Sequence, residues 1–458
     1  MANYLTRTFG SGGNRKKWTK SFWFKTAGLY GGYTGNQHIM SVTSNSGNDE
    51  GTTRFRLNDN GTLEFRELDG GSGLELKTTK IFNDPTAWYH VVMTWDSNNS
   101  TSGDRGIIYV NGTRVTAFGT ETYPSQNVDS ITNAASQLHA IGTNEHNDGW
   151  SGTRTPFQGQ LAHVHFCDGY AYAASDFGET DSTTGIWKPK VSPSVSYGTT
   201  GYFLKFENSG NLGLDSSGNS NNYTVVNGQT YHQSVDTPSN NFVTMSPLNN
   251  DKVQAQFEQR NLYVSSNSSR YTFSESTHAF NKGKWYVEAY VDNIGPGSDN
   301  WMMGISTKLS EATSQRLGDD SVSIALRNNG QYKYNNNNVN HGASFAQGSI
   351  AMFAIDLDNK NIYFGNNGQW MDGSGNTDEA NPASAVSISG LFSDLYDVAF
   401  VAFGDGTGSG GAKAKVNFGS PTFAISSAQQ DANGYGNFEY TPPSGYYAMC
   451  TKNINLYG

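Results

Sequence analysis

Apolar residues recur at every second position through much of this 458-residue chain, and turn residues interrupt them. Residues 322–326 and 414–418 are clear examples, with apolar side chains separated by single polar or small ones. Successive side chains point to opposite faces of a β-strand, so an apolar residue at every second position gives one face that can be buried. Tight hairpins need residues that tolerate positive φ, and Asn-Gly pairs provide them. Such pairs occur at 60–61, 111–112, 329–330 and 367–368. The pattern predicts an all-β protein built from antiparallel sheets.

Composition excludes two other classes of fold. Glycine supplies 53 of the 458 residues, well above the average of about 7%. Glycine, asparagine, serine and threonine are poor helix formers, which argues against a bundle of long helices. Aromatic residues make up 13% of the chain, and they supply the apolar area that disordered chains lack.

The strand patterns fall into two blocks that are separated by a stretch rich in serine, asparagine and glycine. We predict a first domain over residues 1–190, a bridging segment with some strand character over 191–250, and a second domain over 251–458. Each block is long enough for a two-sheet sandwich with its own core. The predicted architecture is therefore two antiparallel β-sandwiches joined by a partly β bridge.

Charge and hydropathy limit the partners that we expect. The formal net charge is −10, and the longest basic run is only Arg15 to Lys17. Nucleic-acid binding without sequence preference needs clustered Lys and Arg, so we expect no nucleic-acid partner. No stretch approaches the ~18 apolar residues of a membrane helix, and the first residues lack the apolar core of a signal peptide. We expect synthesis in a cytoplasm without membrane insertion. Cys167 and Cys450 are expected to be buried thiols, although their pairing stays open.

Three motifs in the first block carry a family resemblance. Residues 88–96 (WYHVVMTWD) are followed by a strand and turn at 107–112 (IIYVNG) and by a later strand at 157–164 (FQGQLAHV). Together they resemble the laminin-G/concanavalin A-like lectin and glucanase superfamily. The resemblance implies a jelly-roll sandwich, and the large rings of Trp88 and Trp95 suit its core.

The second block resembles a SPRY/B30.2 domain. The matching passages are GKWYVE at 283–288, MGIS at 303–306, a hairpin at 350–368 and NFG at 417–419. SPRY domains are two-sheet sandwiches that usually bind protein partners through loops at the rim. The resemblance implies a second recognition domain.

The passages that continue from the motifs of the first block, through the end of that block and the bridging segment, resemble lectin-like virion proteins of tailed phages, particularly those of marine bacteria. They are FCDG at 166–169, SDFGE at 175–179, GIWKPK at 185–190, DSSGN at 215–219 and DTPSNNF at 236–242. The resemblance implies a structural, adhesive protein on the virion exterior, as a tail fibre or spike that contacts host-surface glycans. A head decoration or capsid appendage is the alternative. The implied partners are other virion proteins and host carbohydrate, in a homo-oligomer for which a trimer is one option.

Catalysis by a concanavalin A-like glucanase requires two carboxylates that flank the glycosidic bond, carried on an E-x-D-x-x-E strand. Glu67 and Asp69 begin such a motif, but position 72 is Ser. Glu179 and Asp181 begin another, but position 184 is Thr. We therefore expect no enzymatic activity, and a polysaccharide depolymerase is the less favoured alternative.

Tryptophans beside Asn or Asp are the predicted glycan-binding residues, because a ring can stack on a sugar face while amides bind hydroxyls. The candidates are Trp150 with Asn147 and Asp148, Trp301 with Asn300, and Trp370. The alternative is that each tryptophan packs under its own loop.

Calcium is the ion that the sequence favours, because carboxylate and amide oxygens suit a hard cation. The candidate ligands are Asp96, Asn98, Asp215 and Asn219. The same residues also form turns without any ion. His90, His163 and His165 are weaker candidates for a metal site, with polar positions on the less buried strand face as the alternative.

Overall fold

The computed structural model describes residues 3–28, 35–43, 52–67, 73–144, 155–228, 232–249, 253–266, 271–297, 300–310, 315–394, 397–407 and 410–458. The chain divides into two units, of which the first ends at Gln233 and the second runs from Ser234 to Gly458. The segment 191–250, expected to bridge two domains, is thus shared between the units. The described strands form antiparallel sheets, so the predicted all-β class is confirmed.

The first unit contains two large sheets. Its strands are β1 (Tyr4–Thr8), β2 (Lys17–Thr26), β3 (Gln37–Thr43), β4 (Thr52–Leu57), β5 (Thr62–Glu67), β6 (Leu74–Ile81), β7 (Tyr89–Asp96), β8 (Gly106–Val110), β9 (Thr113–Arg114), β10 (Phe118–Thr122), β11 (Leu138–Ile141), β12 (Gly159–Asp168), β13 (Gly178–Thr180), β14 (Trp187–Pro189), β15 (Tyr202–Leu204) and β16 (Thr224–Val226). Sheet I has eight strands in the order β10-β6-β5-β4-β3-β11-β1-β16. Sheet II has six, in the order β15-β12-β2-β7-β8-β9, and β13 pairs with β14 separately.

Alternating residues of the inner strands fill the core of the first unit. Trp18 on β2 and Trp95 on β7 are almost fully buried, and their rings stack with centroids 6.1 Å apart. Each buried tryptophan removes about 150–250 Å² from water, which makes such pairs major contributors to the core. The predicted core position of Trp95 is confirmed. Trp88 precedes β7 and is only half-buried, because the strand begins at Tyr89 and takes its inward positions from there.

The second unit is also built from two large sheets. Its strands are β17 (Gln256–Glu258), β18 (Tyr263–Ser265), β19 (Phe273–Phe280), β20 (Lys284–Ile294), β21 (Trp301–Ser306), β22 (Ser323–Arg327), β23 (Gln331–Tyr334), β24 (Asn337–Asn340), β25 (Ile350–Asp356), β26 (Asn361–Asn366), β27 (Gln369–Met371), β28 (Thr377–Glu379), β29 (Val386–Ser387), β30 (Ala399–Asp405) and β31 (Ala412–Asn417). Sheet III follows the order β17-β18-β31-β20-β25-β26-β27-β28, with β29 beside β26. Sheet IV follows the order β19-β30-β21-β22-β23-β24, and a short helix, α1 (Thr451–Tyr457), ends the chain.

Each unit folds a later stretch of chain over the outer face of one sheet. In the first unit, side chains from residues 172–197 form a small apolar cluster on sheet II, with Phe177 and Trp187 among them. In the second unit, residues 435–450 do the same on sheet III, with Phe438 and Tyr446 at the centre. These two stretches are called the first cover and the second cover below. In sheet I of the first unit, by contrast, the outer face of strands β4 to β6 is polar.

Candidate functional site

The predicted glycan-binding tryptophans of the second unit lie in its interior. The exposed fraction is 0% for Trp301 and 3% for Trp370. Trp301 packs against Phe345 and Phe403 with ring centroids 5.7 and 5.8 Å away. Neither ring offers a face to a sugar, which corrects the prediction at both positions.

The remaining predicted glycan residues divide into two groups. Asn300 is buried, and its Oδ1 accepts hydrogen bonds from the backbone N–H groups of Gly406 and Thr407. It therefore organises a loop and has no freedom to bind hydroxyls. Asn147, Asp148 and Trp150 lie outside the described residues.

The predicted calcium ligands are occupied by their own chain. Asp96 Oδ2 lies 3.0 Å from Lys17 Nζ, and Asp96 Oδ1 accepts the backbone N–H of Asn98 at 3.2 Å. Both carboxylate oxygens of Asp215 also accept backbone N–H groups, from Phe203 at 2.8 Å and from Asn221 at 2.8 Å. These are the turn bonds that Asx residues form without an ion.

The last predicted calcium ligand, Asn219, also forms hydrogen bonds with its own chain. Asn219 Nδ2 donates to the carbonyl oxygens of Gly198 and Gly201, at 2.8 and 3.0 Å. Within the described ranges, no group of three or more His, Cys, Asp or Glu side chains is arranged to hold a metal ion.

His90 forms a buried chain of hydrogen bonds beneath the first cover. Trp187 Nε1 lies 3.0 Å from His90 Nδ1, and His90 Nε2 lies 2.9 Å from Ser21 Oγ. An indole N–H only donates, so Nδ1 is the acceptor and Nε2 carries the proton. A serine beside a histidine resembles a nucleophile with its base, but this tautomer donates to Ser21 and cannot take its proton. Burial lowers the pKa of His90 to about 3, so the ring stays neutral.

His163 and His165 do not assemble into a metal site with His90. A β-bulge between Ala162 and His165 interrupts the pairing of β12 with β2 and gives His163 a φ of +48°. His165 stacks on Phe203 with centroids 3.9 Å apart, and burial holds its pKa well below the ordinary value. Because the bulge interrupts the alternation of side chains along the strand, His163 and His165 at i and i+2 do not form a pair of metal ligands.

Glu67, the first carboxylate of the incomplete glucanase motif, is a structural acceptor. Its exposed fraction is 1%, and its two oxygens accept hydrogen bonds from five donors on four residues. These donors are Thr53 Oγ1, Ser130 Oγ, Ile131 N, Thr132 N and Thr132 Oγ1. In the second partial motif, Glu179 and Asp181 both pair with Lys188, at 3.7 and 2.9 Å. Asp69 lies outside the described residues.

The outer face of strands β3 to β6 carries a grid of charged side chains, here called the charged face. It consists of Arg54, Arg56, Glu64, Arg66, Glu75 and Lys77, with His38 beside them on β3. The intervening residues, such as Phe55, Phe65 and Leu76, point into the core. Because side chains alternate along a strand, the charged set shares the opposite face.

Strand register sets which charges are neighbours on this face. One row across the sheet runs from His38 to Arg56, Glu64 and Lys77. In the adjacent row, Arg54 lies directly opposite Arg66, which lies opposite Glu75. Like charges placed directly opposite repel each other, so the pairing of two arginines calls for a compensating anion.

Glu64 compensates Arg54 and Arg56. Its two oxygens lie 2.9 Å from Arg54 Nε and 2.8 Å from Arg56 Nη2. Burial raises the pKa of Glu64, but the guanidinium groups of Arg56 and Arg54 outweigh this effect and hold the pKa below its usual value. Arg66 is less well compensated, because its Nε is 3.9 Å from Glu75 Oε2.

Two donors on the charged face lack an acceptor. Arg56 Nε and Arg66 Nε are buried and form no hydrogen bond. The exposed fraction of the side chains rises across the sheet, from 13% at Arg54 to 28% at Arg66 and 34% at Glu75. Lys77 is half-buried and takes part in none of the ion pairs found among the described residues. The accessible end of the face is therefore Arg66, Glu75 and Lys77.

The charged face was not predicted from the sequence, although a signal was present. Residues 53–57, 63–67 and 74–77 place a charged residue at alternate positions between apolar ones. The alternation identifies outward positions, but only the register brings these charges side by side.

Comparisons with known proteins place two domains in the chain. Residues 3–175 match the family model of the concanavalin A-like lectin/glucanases superfamily, and residues 284–385 match the SPRY domain model. The chain thus carries a concanavalin A-like domain followed by a SPRY domain, as the sequence motifs predicted. No curated protein matches the sequence.

Solved structures resemble the chain only distantly. The laminin alpha1 chain domains LG4-5 of mouse are 11% identical, cover 90% of this chain and 84% of their own, and give a TM-score of 0.29. The SPRY domain of human HERC1 is 17% identical and covers 38% of this chain and 96% of its own, at a TM-score of 0.29. A heptameric SAP-like pentraxin from Limulus polyphemus is 17% identical. It covers 37% of this chain and 71% of its own, at a TM-score of 0.28. Similarities this low carry no argument about function.

Proposed function

We propose that this protein is a non-enzymatic adhesive protein that binds carbohydrate through the charged face of its first domain. The observation that carries the proposal is the grid of guanidinium, ammonium and carboxylate groups on sheet I, whose accessible end is Arg66, Glu75 and Lys77. Sugar hydroxyls both donate and accept hydrogen bonds, so a surface that offers both kinds of partner in a fixed register suits them. The concanavalin A-like match of residues 3–175 agrees with this assignment.

We further propose that the protein acts on the exterior of a tailed-phage virion, as a tail fibre or spike component that contacts host-surface glycans. The support is the order of motifs between residues 157 and 242, which resembles lectin-like virion proteins. Other virion proteins would hold it in place as a homo-oligomer, for which a trimer is one arrangement. A head decoration or capsid appendage is the alternative position.

Labelling of intact particles tests the virion assignment. Gold-labelled antibodies against the full chain should decorate purified virions, and the copy number per particle should identify the location. Label at the tail tip in multiples of three supports a fibre or spike, whereas label over the head supports decoration. Particles that carry no label would overturn the assignment to a virion.

Binding of the full chain to a glycan array tests the carbohydrate assignment. We expect selective binding to a subset of glycans, and no release of reducing sugar when the protein is incubated with host capsule. Release of reducing sugar would replace the adhesive role with a depolymerase. Absence of binding to every glycan would refute the carbohydrate assignment while leaving the virion assignment to its own test.

A further inference from the structure

We infer that the charged face selects an acidic polysaccharide, whose carboxylate or sulfate groups bind between Arg66 and Lys77. This inference rests on the proposed carbohydrate function and names its ligand class. On the described face, four cations (Arg54, Arg56, Arg66 and Lys77) stand against two carboxylates (Glu64 and Glu75). The whole chain has a formal net charge of −10. A local excess of positive charge on an acidic protein indicates an anionic ligand at that place.

Incomplete charge compensation places the anion at the accessible end of the face. Arg54 and Arg56 share Glu64, at 2.9 and 2.8 Å. Arg66 has only the 3.9 Å contact with Glu75, and its side chain is 28% exposed. A guanidinium with free donors binds a carboxylate or sulfate through two parallel hydrogen bonds. Arg66 is therefore the expected anchor.

Lys77 stands where it can share the same anion. It lies opposite Glu64 on the neighbouring strand, and Glu64 is two residues before Arg66. Residues in this diagonal relation are about 7–8 Å apart between Cα atoms. Two long side chains across that distance can converge on one anionic group or bind successive groups along a polymer.

The carboxylates of the face argue for a polysaccharide over a nucleic acid. Glu64 lies opposite Lys77, and Glu75 lies opposite Arg66. Fixed negative charges repel a continuous phosphodiester backbone, and nucleic-acid sites gather Lys and Arg without them. A carboxylate accepts hydrogen bonds from sugar hydroxyls, so an acidic sugar chain satisfies both signs of charge on this face.

Charge reversal in the full-length protein tests the inference. The probes are alginate for carboxylate groups, dextran sulfate for sulfate groups and unmodified dextran as the neutral control. R66E and K77E should each weaken binding to one or both acidic polymers by ~10-fold or more, because a hydrogen bond to a charged group is lost and a repulsion gained. The matched control is K205E, since Lys205 has a similar exposed fraction of 34% but follows β15 of sheet II. This control should bind as the unchanged protein does.

Salt and melting measurements separate the outcomes. Binding to the acidic polymer should weaken as salt rises through about 0.15 M, where exposed charges are screened beyond roughly 8 Å. The milder variants R66Q and K77Q, with unchanged melting temperatures, would exclude a folding defect. Acidic-polymer binding that all four variants retain would overturn the site. Binding only to neutral glycans, or equal binding to DNA, would overturn the ligand class but leave the adhesive proposal standing. Binding to no glycan would refute the adhesive proposal itself.

Discussion

Both domains place a cover over an Asn-Gly hairpin, but they bury different polar groups beneath it. In the first domain, Asn111 Oδ1 accepts the backbone N–H of His90 at 2.8 Å. In the second, Asn367 Oδ1 accepts the backbone N–H of Ile350 at the same distance. The glycine that follows each asparagine has a φ of +84°. An aromatic ring of the cover then packs on that glycine: Trp187 on the first and Tyr440 on the second.

The polar centre beneath the first cover is a neutral histidine, whereas beneath the second it is a glutamate. Glu288 is fully buried and accepts the backbone N–H groups of Glu439 and Tyr440, at 2.9 and 2.8 Å. Tyr286 Oη and Asn417 Nδ2 donate to it as well. Burial raises the pKa of Glu288 to about 7, against the effect of these donors. One cover geometry can thus be held by groups whose titration changes the stability of the fold in opposite directions.

The largest expected difference between the two covers is their opposite pH dependence. His90 has a pKa of about 3 in the folded protein, against about 6.5 unfolded, so protons favour the unfolded first domain between these values. Glu288 has a pKa of about 7 in the folded protein, against about 4.5 unfolded, so protons favour the folded second domain between these two values. Lowering the pH from about 7 to about 5 should therefore cost the first cover about 2 kcal/mol and stabilise the second by about as much.

Hydrogen exchange on the full chain measures both covers at once. Peptides from residues 172–197 should lose protection on acidification, and peptides from residues 435–450 should gain it, after correction for intrinsic exchange rates. Peptides from strands β5 and β21, which belong to sheets I and IV, serve as internal controls. A shift of both covers in the same direction would break the contrast.

A second prediction concerns the polar centres themselves. Glu288→Ala leaves four donors without an acceptor in the interior and should lower the free energy of unfolding by about 3–5 kcal/mol. His90→Phe removes two hydrogen bonds but keeps an aromatic ring against Trp23, which stacks on His90 at 4.7 Å. It should cost about 1–2 kcal/mol.

Chemical denaturation monitored by fluorescence provides the comparison, and Glu288→Gln is the conservative control. The amide retains one acceptor oxygen, so its cost should fall between those of the other two variants. Equal costs for E288A and H90F would show that the carboxylate has no special part in fixing the second cover.

The sequence predicted the hairpins but could not predict the covers. Asn111-Gly112 and Asn367-Gly368 follow from local chemistry, because few other residues adopt positive φ at two successive positions. Whether a strand's outer face is covered depends on residues far along the chain, such as Trp187 for β8. The same limit explains Trp301: its Asp-Asn neighbours favour a loop, yet it is the first residue of β21 and fills the core. The charged face adds a third case, since alternation gives the outward positions but register decides which charges meet.

The smallest expected difference between the two covers concerns the feature that they share, the glycine beneath each ring. A Cβ at Gly112 would lie 2.8 Å from Trp187, and one at Gly368 would lie 2.8 Å from Tyr440. Gly112→Ala and Gly368→Ala should each cost about 1–3 kcal/mol, from the positive φ and the contact together. Gly218→Ala and Gly348→Ala are matched controls, because both have positive φ but no atom within 4 Å of a Cβ. If each control variant costs as much as the variant it is compared with, the strain lies entirely in the backbone and the rings do not hold the hairpins. If Gly112→Ala and Gly368→Ala both cost more than their controls, and by similar amounts, the two covers pack on their hairpins in the same way.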